Sequence, residues 1–495
     1  MSVATDLAFD NSYARLPESF YARVAPTPVP DPALLRVNRP LARELGLDAA
    51  WLASPDGVAM LAGNQLPETA EPLAMAYAGH QFGTFVPQLG DGRAVLLGEF
   101  PDRAGTRRDL HLKGAGRTPF SRGGDGRAVL GPVIREYLGS EAMAALGIPT
   151  TRALAMVATG QSHFREAVEP GAILARVASS HVRVGTFEYF AARDDQQAVR
   201  TLADYVLRRH YPEVTDADRP YVELLRQVAL RSGELIASWM MVGFIHGVMN
   251  TDNISVVGET IDYGPFAFMD AYHPETVFSS IDTGGRYAFS QQPRIGYWNL
   301  ARLATALMPL LGESQEQATR SAEGALDAYA DRFEQAYEAG LRAKLGLAEA
   351  REGDRELAHD LLRAMAAGRA DFTLTFRRLA DLNRADATAD ERVRELFDDP
   401  TGFDAWAARW RERLGAESRD DADRHRAMRA VNPAFVLRNH LAQQAVDAAT
   451  REQDLGPFED LLAVLSAPFD EHPGMEPYAR PPRPGEEVPV TFCGT

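Results

Sequence analysis

The stretch His246-Gly247-Val248-Met249-Asn250-Thr251-Asp252-Asn253, followed by Asp262-Tyr263-Gly264, decides the fold of this chain. Between its two parts, Ile254-Ser255-Val256-Val257 is typical of a strand and Gly258-Glu259 of a turn. The stretch carries the amide of Asn253 and the carboxylate of Asp262, whose oxygens are ligands that Mg²⁺ accepts. The stretch therefore predicts a metal site beside a hairpin.

The same spacing occurs in protein kinases, in which H-R-D-x-x-x-x-N is followed by D-F-G. The Asn and the second Asp of that pattern hold the metal ions that bridge the nucleotide phosphates. His246 and Asn253 keep the spacing, but Val248 occupies the position of the catalytic Asp. Because a valine cannot accept a proton, the stretch predicts a nucleotide and metal site with altered chemistry at the acceptor end.

The composition is that of an ordinary globular chain that can bury a large core and form more than one lobe. The 495 residues are 45% hydrophobic and 24% charged, and 52 basic against 69 acidic residues give a formal net charge of −17. An acidic balance argues against general binding to nucleic acid or anionic membranes, which need basic surface. We therefore expect no nucleic-acid partner and no membrane partner.

Three features predict a cytoplasmic protein. Residues 1–6 have neither the basic nor the apolar region of a secretory signal. The most apolar run, residues 239–245, is far too short to span a bilayer. Cys493 is the only cysteine, so no disulfide can form within the chain.

A glycine turn is predicted at Gly90-Asp91-Gly92, before a strand over residues 93–100. Such a turn could place backbone N–H groups over phosphates, or it could be an ordinary hairpin turn, because a lone Gly-x-Gly is a weak signal. The next strand, residues 109–113, alternates polar and apolar side chains and ends at Lys113. This part of the chain therefore predicts strands and leaves the role of the turn open.

In kinases a strand lysine contacts phosphates and pairs with a helix glutamate. Glu136 is the candidate partner of Lys113, on a helix predicted to begin near Pro132 and to end at Gly147. The alternative is a surface lysine and a solvated glutamate, which isolated residues would favour.

Residues 114–127 contain five glycines and three arginines, a composition suited to anion contact through N–H groups and guanidinium forks. The segment follows the lysine strand, whereas the glycine-rich loop of a kinase precedes it, which hints that phosphates enter from another direction. Arg176 lies among apolar residues, so if buried it needs an anionic partner. A phosphate would serve, and so would a carboxylate such as Glu188.

We expect an α+β fold of the protein-kinase type, with an antiparallel sheet and one helix like the kinase αC in the N-terminal lobe, and a mostly helical C-terminal lobe. Two further strands are predicted at 150–158 and 172–177. The predicted units are an N-terminal wrap (1–70), an N-lobe (71–190), a C-lobe with the metal site (191–310), a helical extension (311–467) and a Pro-rich tail (468–495). Predicted helices include residues 32–45, 49–53, 300–311, 314–345, 356–367, 374–382 and 435–449.

Seven runs of the chain resemble the selenoprotein O family, known in bacteria as YdiU. They are AYAGHQFGTFVPQLGDGRAVLLGE, HLKGAGRTPFSRGGDGRAVL, ILARVASSHVRVGTFEYF, HGVMNTDN, IDYGPFAFMD, QQPRIGYWNLARLA and NPAFVLRNHLAQQA. They occur in order over most of the chain, so the resemblance is specific. Family members elsewhere carry selenocysteine near the C-terminus, and Cys493 resembles its cysteine counterpart.

The resemblance implies a pseudokinase fold that binds ATP in an orientation flipped relative to kinases. It implies transfer of AMP to Ser, Thr or Tyr hydroxyls of other proteins and of the chain itself. UMP transfer with Mn²⁺ is a further activity to consider, and redox control through an internal disulfide is impossible with one cysteine.

The resemblance also implies roles for residues at matching positions. Lys113, Arg176 and Arg183 would hold phosphates, and Glu136 would pair with Lys113. Asn253 and Asp262 would hold Mg²⁺ or Mn²⁺ beside the nucleotide, and Asp252 would be the proton acceptor. Five further residues would line the nucleotide: Gly90, Gly92, Arg93, Asp125 and Gly126.

Two alternatives to AMP transfer stay open. The chain could transfer the γ-phosphate, as a kinase does, or it could bind nucleotide without catalysis. Retention of Lys113, Glu136, Asn253 and Asp262 together argues against a bare scaffold.

Overall fold

The computed structural model describes residues 7–491. The prediction about a secretory signal, made on residues 1–6, and the questions about Cys493 lie outside the described residues. The predicted α+β class, with an antiparallel sheet and mostly helical regions, is confirmed. Within residues 7–491, no helix is both long and apolar enough to cross a membrane.

The first part of the described chain is built on one antiparallel sheet. The strands of residues 7–178 are β1 (Tyr21–Arg23), β2 (Ala33–Val37), β3 (Leu73–Met75), β4 (Gly79–Gln81), β5 (Thr84–Val86), β6 (Ala94–Pro101), β7 (Arg107–Lys113), β8 (Ala128–Val129), β9 (Arg152–Phe164) and β10 (Val168–Ala178). In the sheet their order is β1-β3-β6-β7-β10-β9-β2, with β8 also paired to β10. β4 and β5 form a separate hairpin.

The N-terminal segment occupies both ends of this strand order, which the prediction of a helix over residues 32–45 missed. Residues 33–37 form β2, which pairs with β9. The helix α1 (Arg39–Leu45) starts only after Asn38, whose side chain accepts a hydrogen bond from the N–H of Leu41. An N-cap asparagine followed by proline near the first turn fixes a helix start there. The short helices α2 (Ala49–Leu52) and α3 (Pro55–Leu61) follow.

The two faces of the sheet carry different side chains and pack against different elements, because successive residues of a strand point to opposite faces. On one face Leu110 and Leu112 pack in a core with α1–α3. The other face carries Asp109, His111 and Lys113, all buried, and meets α4 (Leu130–Ala145). α4 starts two residues before the predicted position. It delivers Glu136 to the polar face of the sheet.

The remaining chain is mostly helical. Its elements are α5 (Val184–Ala191), α6 (Gln196–His210), α7 (Pro220–Met241), β11 (Phe244–Ile245), β12 (Ala267–Phe268), α8 (Gln292–Leu307), α9 (Gln315–Lys344), α10 (Asp354–Ala367), α11 (Phe372–Leu379), α12 (Glu391–Arg394), α13 (Thr401–Gly415), α14 (Asp421–Arg429), α15 (Asn439–Asp447) and α16 (Gly456–Leu465). α15 begins later than the predicted residue 435, because the N–H groups of Ala434 and Phe435 both donate to the carbonyl of Pro468.

After α16 the chain returns along the body. The side chain of Asn439 donates to the carbonyl of Val488 at 2.8 Å. The N–H of Thr491 donates to the carbonyl of Phe278, and its hydroxyl donates to the carbonyl of Pro265, each at 2.7 Å. The predicted Pro-rich tail is therefore bonded to the segment that follows Asp262-Tyr263-Gly264.

Candidate active site

The stretch that begins at His246 lies between the short strands β11 and β12, which pair with each other. His246 Nε2 donates to the carbonyl of Ile261 at 3.0 Å, while its Nδ1 faces the N–H of Val248 at 3.4 Å. This histidine therefore joins the two halves of the loop. The strand predicted at 254–257 is reduced to single bridges, Ile254 with Thr260 and Ser255 with Arg183.

Lys113 and Glu136 meet, with Lys113 Nζ 2.5 Å from Glu136 Oε2. Both are buried, so neither is the solvated surface residue of the alternative interpretation. Arg176 is buried as well, and its Nη1 lies 3.2 Å from Glu136 Oε1. The carboxylate suggested for Arg176, Glu188, lies elsewhere: it contacts the hydroxyl of Thr251 and the ring of His80.

Asp262 is the point on which the cations converge. Its Oδ1 lies 2.6 Å from Arg176 Nη1 and 3.5 Å from Lys113 Nζ, and its Oδ2 lies 2.8 Å from Arg183 Nη2. These cations, the two arginines most strongly, hold the pKa of Asp262 well below its usual range although burial opposes this. Its side chain is still 20% exposed. A ligand can therefore reach the point where Lys113, Arg176 and Arg183 meet.

Asp262 also has a left-handed backbone, with φ of 60°. This conformation is uncommon for a residue other than glycine, although aspartate is enriched in it. Strain of this kind is concentrated at functional sites, where the surrounding structure holds it in place.

Asp91 and His111, which the sequence reasoning did not assign to the site, position the two arginines. Arg176 Nε donates to His111 Nδ1 at 3.0 Å, and His111 Nε2 lies 3.3 Å from Asp91 Oδ2. Asp91 Oδ1 lies 3.4 Å from Arg183 Nη1. Since His111 Nδ1 accepts from a guanidinium, the ring is neutral, and burial lowers its pKa in agreement. The sequence signal that could have identified His111 is the alternation over residues 109–113, which places His111 on the same face of the strand as Lys113.

The glycine turn predicted at Gly90-Asp91-Gly92 packs on the segment 114–127. A Cβ on Gly90, whose φ is 80°, would lie 2.3 Å from the Phe120 ring, and one on Gly92 would lie 2.9 Å from the Phe120 carbonyl oxygen. The carbonyl of Arg93 accepts from the N–H of Gly114 at 2.7 Å. The turn and the glycine-rich segment thus form one surface next to Lys113.

Asp125 and Gly126 lie at the outer end of that segment. Asp125 is exposed, and its carboxylate pairs with Arg165 at 2.9 Å. Gly126 has φ of 69°, and a Cβ there would lie 2.1 Å from the carbonyl oxygen of Gly116. The structure therefore gives both residues a role in shaping the segment, and Asp125 pairs with Arg165 outside the Asp262 cluster.

Asp252 lies on the short 3₁₀ turn Thr251–Asn253. It is 8% exposed, and its Oδ1 has no hydrogen-bond partner within residues 7–491. Its Oδ2 accepts from Gln81 Nε2 at 3.4 Å. Burial raises the pKa of this carboxyl to about 6. A buried carboxylate with a free oxygen and a raised pKa is suited to accept a proton.

The hairpin β4–β5 covers Asp252 and its neighbours. Besides the contact from Gln81, the N–H of His80 donates to the Thr251 hydroxyl at 2.7 Å. The N–H of Phe82 donates to Asn250 Oδ1 at 3.0 Å. Gly79 leaves room for the carboxylate, because a Cβ there would lie 2.3 Å from Asp252 Oδ1.

Asn253 and Asp262, the predicted metal ligands, carry an amide oxygen and a carboxylate, which are donor types that a divalent ion accepts. Asn253 Nδ2 donates to the carbonyl of Val248 at 3.0 Å, which leaves its oxygen as the ligand atom. Residues 7–491 contain no group of three or more His, Cys, Asp or Glu side chains that could hold a metal. An ion here would complete its shell with phosphate oxygens and water, as Mg²⁺ commonly does.

Comparison with known proteins agrees with the motifs. The family model for protein adenylyltransferase SelO matches residues 3–466. The chain is 62% identical over 487 residues to protein nucleotidyltransferase YdiU of Rhodopseudomonas palustris strain BisB5, covering 98% of this chain and 99% of that protein. It is also 62% identical over 487 residues to protein nucleotidyltransferase YdiU of Alkalilimnicola ehrlichii, covering 98% of each.

Proposed function

The chain belongs to the SelO family of protein adenylyltransferases, and from that premise we propose that it transfers AMP from ATP to Ser, Thr or Tyr hydroxyls of proteins. Membership makes it a nucleotidyltransferase that uses ATP and acts on proteins. The site chemistry supports the finer statements about the orientation of ATP, the metal and the residues that act.

The observation that carries the proposal is the convergence of Lys113, Arg176 and Arg183 on one partly exposed carboxylate, Asp262. A nucleotide triphosphate brings enough negative charge to take over these cations. With the β- and γ-phosphates among them, the α-phosphorus is the reacting atom left for the acceptor side, where Asp252 lies. This is the flipped orientation, and it accounts for Val248 at the position of the kinase Asp.

In this mechanism each group has one task. Asp252 accepts the proton of the acceptor hydroxyl, whose oxygen attacks the α-phosphorus. The bond from the α-phosphorus to the bridging oxygen breaks, and pyrophosphate leaves with its charge neutralised by Lys113 and the two arginines. Asn253 and Asp262 would hold Mg²⁺ or Mn²⁺, which when bound supplies further charge neutralisation on the phosphates.

A proton acceptor works best when its pKa is near the working pH. The pKa of Asp252, raised to about 6 by burial, leaves it ionised at neutral pH and more basic than an exposed aspartate. Its Oδ1 accepts no hydrogen bond within residues 7–491, so no donor of the protein competes with the hydroxyl proton for this oxygen.

The further parts of the proposal concern the surroundings of the triphosphate. Gly90, Gly92, Arg93, Asp125 and Gly126 would line the nucleotide. Residues 71–190 and 191–310 would form the two lobes of a kinase-like body, with a helical extension at 311–467. The chain itself would be one acceptor, and UMP transfer with Mn²⁺ a secondary activity.

The deciding test uses ATP labelled with ³²P at the α position or at the γ position. The purified protein is incubated with each nucleotide, Mg²⁺ and a general acceptor protein, and label is followed on both proteins. We expect label from the α position only. Label from the γ position only would establish a kinase, and absence of any transfer with intact ATP binding would favour a scaffold.

A further inference from the structure

Three arginines after the metal loop have no acidic partner. Arg286, Arg294 and Arg302, here called the arginine patch, make no ion pair with a carboxylate within residues 7–491. The chain has a formal net charge of −17, so free cations grouped in one short stretch are unexpected. Their grouping favours a negatively charged ligand.

Two members of the patch share one aromatic ring. The guanidinium carbon of Arg286 lies 4.6 Å from the centre of the Trp298 ring, and that of Arg302 lies 5.4 Å from it. Each contact is a cation–π interaction, in which the face of the ring attracts the guanidinium. The two guanidinium carbons are therefore at most 10 Å apart (4.6 Å plus 5.4 Å), and the two like charges repel each other.

Some N–H groups of the patch are buried without a partner. Arg286 Nε and Nη2 and Arg302 Nε have no hydrogen-bond acceptor within residues 7–491. A buried donor without an acceptor is unfavourable, and the ring contacts do not supply that acceptor. Arg286 Nη1 and both Nη atoms of Arg302 are not among these buried atoms, and a carboxylate bound to them would offset the charge of the two guanidinium groups.

The patch lies next to the acceptor side of the site. The turn of the β4–β5 hairpin joins them: Gln81 donates to Asp252 Oδ2, and a Cβ on Gly83 would lie 3.6 Å from the Arg286 guanidinium. The Tyr287 hydroxyl, beside Arg286, donates to Asn250 Oδ1 at 2.6 Å. The cations assigned to the phosphates instead meet at Asp262.

We propose that Arg286 and Arg302, stacked on Trp298, bind an acidic side chain close in sequence to the acceptor hydroxyl of the protein substrate. The inference rests on the proposed function for the acceptor reaction, and adds to it a preference for acidic segments. Arg294, exposed on the first turn of α8, extends the same charge outward.

A binding experiment tests the surface without relying on transfer. The probe is a fluorescein-labelled peptide with Ser, Thr and Tyr set among glutamates, compared by anisotropy with the same peptide carrying glutamines. We expect the acidic peptide to bind at least about tenfold more tightly and to weaken steeply with added salt, since screening acts on exposed charge pairs. Equal binding of the two peptides, or no binding, would overturn the inference.

The variant Arg286→Gln/Arg302→Gln should lose this preference, while ATP binding is unchanged. The matched control is Arg39→Gln/Arg43→Gln, which removes two exposed charges from α1 on the other face of the sheet. If the first variant does not fold, the comparison of the two peptides on the unmodified protein, with its salt dependence, still tests the preference for acidic segments. If the folded double variant still prefers the acidic peptide, the proposal that the arginine patch binds it is wrong.

Transfer from α-labelled ATP to the same peptides separates the two proposals. Labelling of acidic and glutamine peptides at equal rates would overturn the docking surface and leave AMP transfer standing. Patch-dependent binding of the acidic peptide, with no label on any peptide or on the protein, would support the surface and contradict the proposed function.

Discussion

Asp252 and Asp262 have opposite electrostatic surroundings, burial raising the pKa of the first and three cations lowering that of the second, and this separates their proposed roles. Asp262→Ala should abolish the metal-dependent part of ATP binding and destabilise the protein, because three buried cations each lose one of their two carboxylate partners. Asp252→Ala should retain ATP binding and reduce transfer at least about 100-fold, the usual contribution of a general base.

Calorimetry with ATP and Mg²⁺, together with label transfer, measures both effects. Asp262→Asn is the control of matched shape, since it removes the charge and leaves the volume. An equal loss of ATP binding in the Asp252 and Asp262 variants would contradict the division of roles.

His111 holds Arg176 in place through the hydrogen bond from Arg176 Nε, and in the proposed function this makes it a positioning residue for the phosphates. His111→Phe keeps a buried ring but removes the acceptor for Arg176 Nε and the donor to Asp91. We expect ATP binding to weaken about tenfold, in line with the loss of a hydrogen bond to a charged group. His111→Asn, which keeps one donor and one acceptor, should recover part of it.

A double-variant cycle distinguishes positioning from general damage. In an Arg176→Met background, His111→Phe should weaken ATP binding little further, because the residue it positions is gone. Full additivity of the two losses would show that His111 does not act through Arg176.

At this scale the sequence was informative where spacing carries the signal. The motif spacing singled out Lys113, Glu136 and Asp262, and the structure brings these three together. Asp91 and His111 were not predicted as site residues. The role of His111 depends on the pairing of β7 with β10, which places His111 opposite Arg176. Cross-strand register depends on tertiary pairing, which one sequence does not reveal.

The hairpin β4–β5 packs tightly against the loop that carries Asp252. Gly79→Ala would place a methyl group 2.3 Å from Asp252 Oδ1 and 2.9 Å from Leu89 Cδ1, so the carboxylate or the hairpin must shift. Transfer should fall by about 100-fold or more, because small displacements of a catalytic group are costly.

ATP binding and transfer are measured in parallel for this variant. The control is Gly324→Ala in α9, where a Cβ meets nothing within 4 Å. That change should raise the free energy of unfolding by about 0.5–1 kcal/mol, since alanine is the better helix former. If transfer by Gly79→Ala is unaltered, the hairpin accommodates the methyl group without displacing Asp252.

Lys344, in the last turn of α9, predicts a pH-dependent stability. It is 2% exposed, lies 4.2 Å from the centre of the Phe376 ring, and makes no ion pair within residues 7–491. Burial lowers its pKa to about 7, from 10.5 for a free side chain. Between these values the unfolded chain binds more protons than the folded one, so this residue makes the free energy of unfolding rise with pH.

Lys344→Met should therefore raise the free energy of unfolding at pH 7 by about 2–4 kcal/mol. The whole pKa shift, at about 1.4 kcal/mol per pKa unit, would give more, but the variant also loses the contact of the ammonium group with the aromatic rings. The difference should shrink as the pH approaches 10, because the folded state already carries a neutral amine there and the unfolded chain approaches its own pKa of 10.5. Denaturant unfolding at pH 7, 8.5 and 10 measures it. A gain that does not vary with pH would point to packing alone.

Element boundaries were predictable where capping and periodicity agree. Helix α9 was predicted as residues 314–345 and is Gln315–Lys344, with Ser314 as its N-cap. The strand β2 was not predicted, because its five residues lie at a sheet end and resemble a helix start. Its pairing with β9 decided the conformation, which local propensity could not show.

Across the whole molecule, both chain ends support the central sheet and loop. The N-terminal segment supplies β1 and β2 at opposite ends of the strand order. The C-terminal segment reaches the carbonyls of Pro265 and Phe278, just beyond Asp262. Neither of these contacts was predicted from the sequence, because contacts between distant segments leave no local pattern. The Pro-rich composition predicted only an extended tail.

Removal of the returning tail should therefore affect the site. A chain that ends at Arg480 loses the bonds from Asn439 to Val488 and from Thr491 to Pro265 and Phe278. At about 1 kcal/mol for each lost hydrogen bond, the free energy of unfolding should fall by about 2–4 kcal/mol. Pro265 also packs on Gly247, where a Cβ would lie 2.5 Å from its carbonyl oxygen, so the looser segment should weaken binding of ATP with Mg²⁺.

A chain that ends at Thr491 keeps every one of these contacts and is the matched control. Denaturant unfolding, ATP calorimetry and limited proteolysis within residues 270–290 compare the two truncated chains with the full one. We expect the chain ending at Arg480 to be cleaved faster there and the control to behave like the full chain. Equal stability, ATP affinity and cleavage in both would show that the metal loop holds its shape without the tail, and the support would then have to come from β11, β12 and His246 alone.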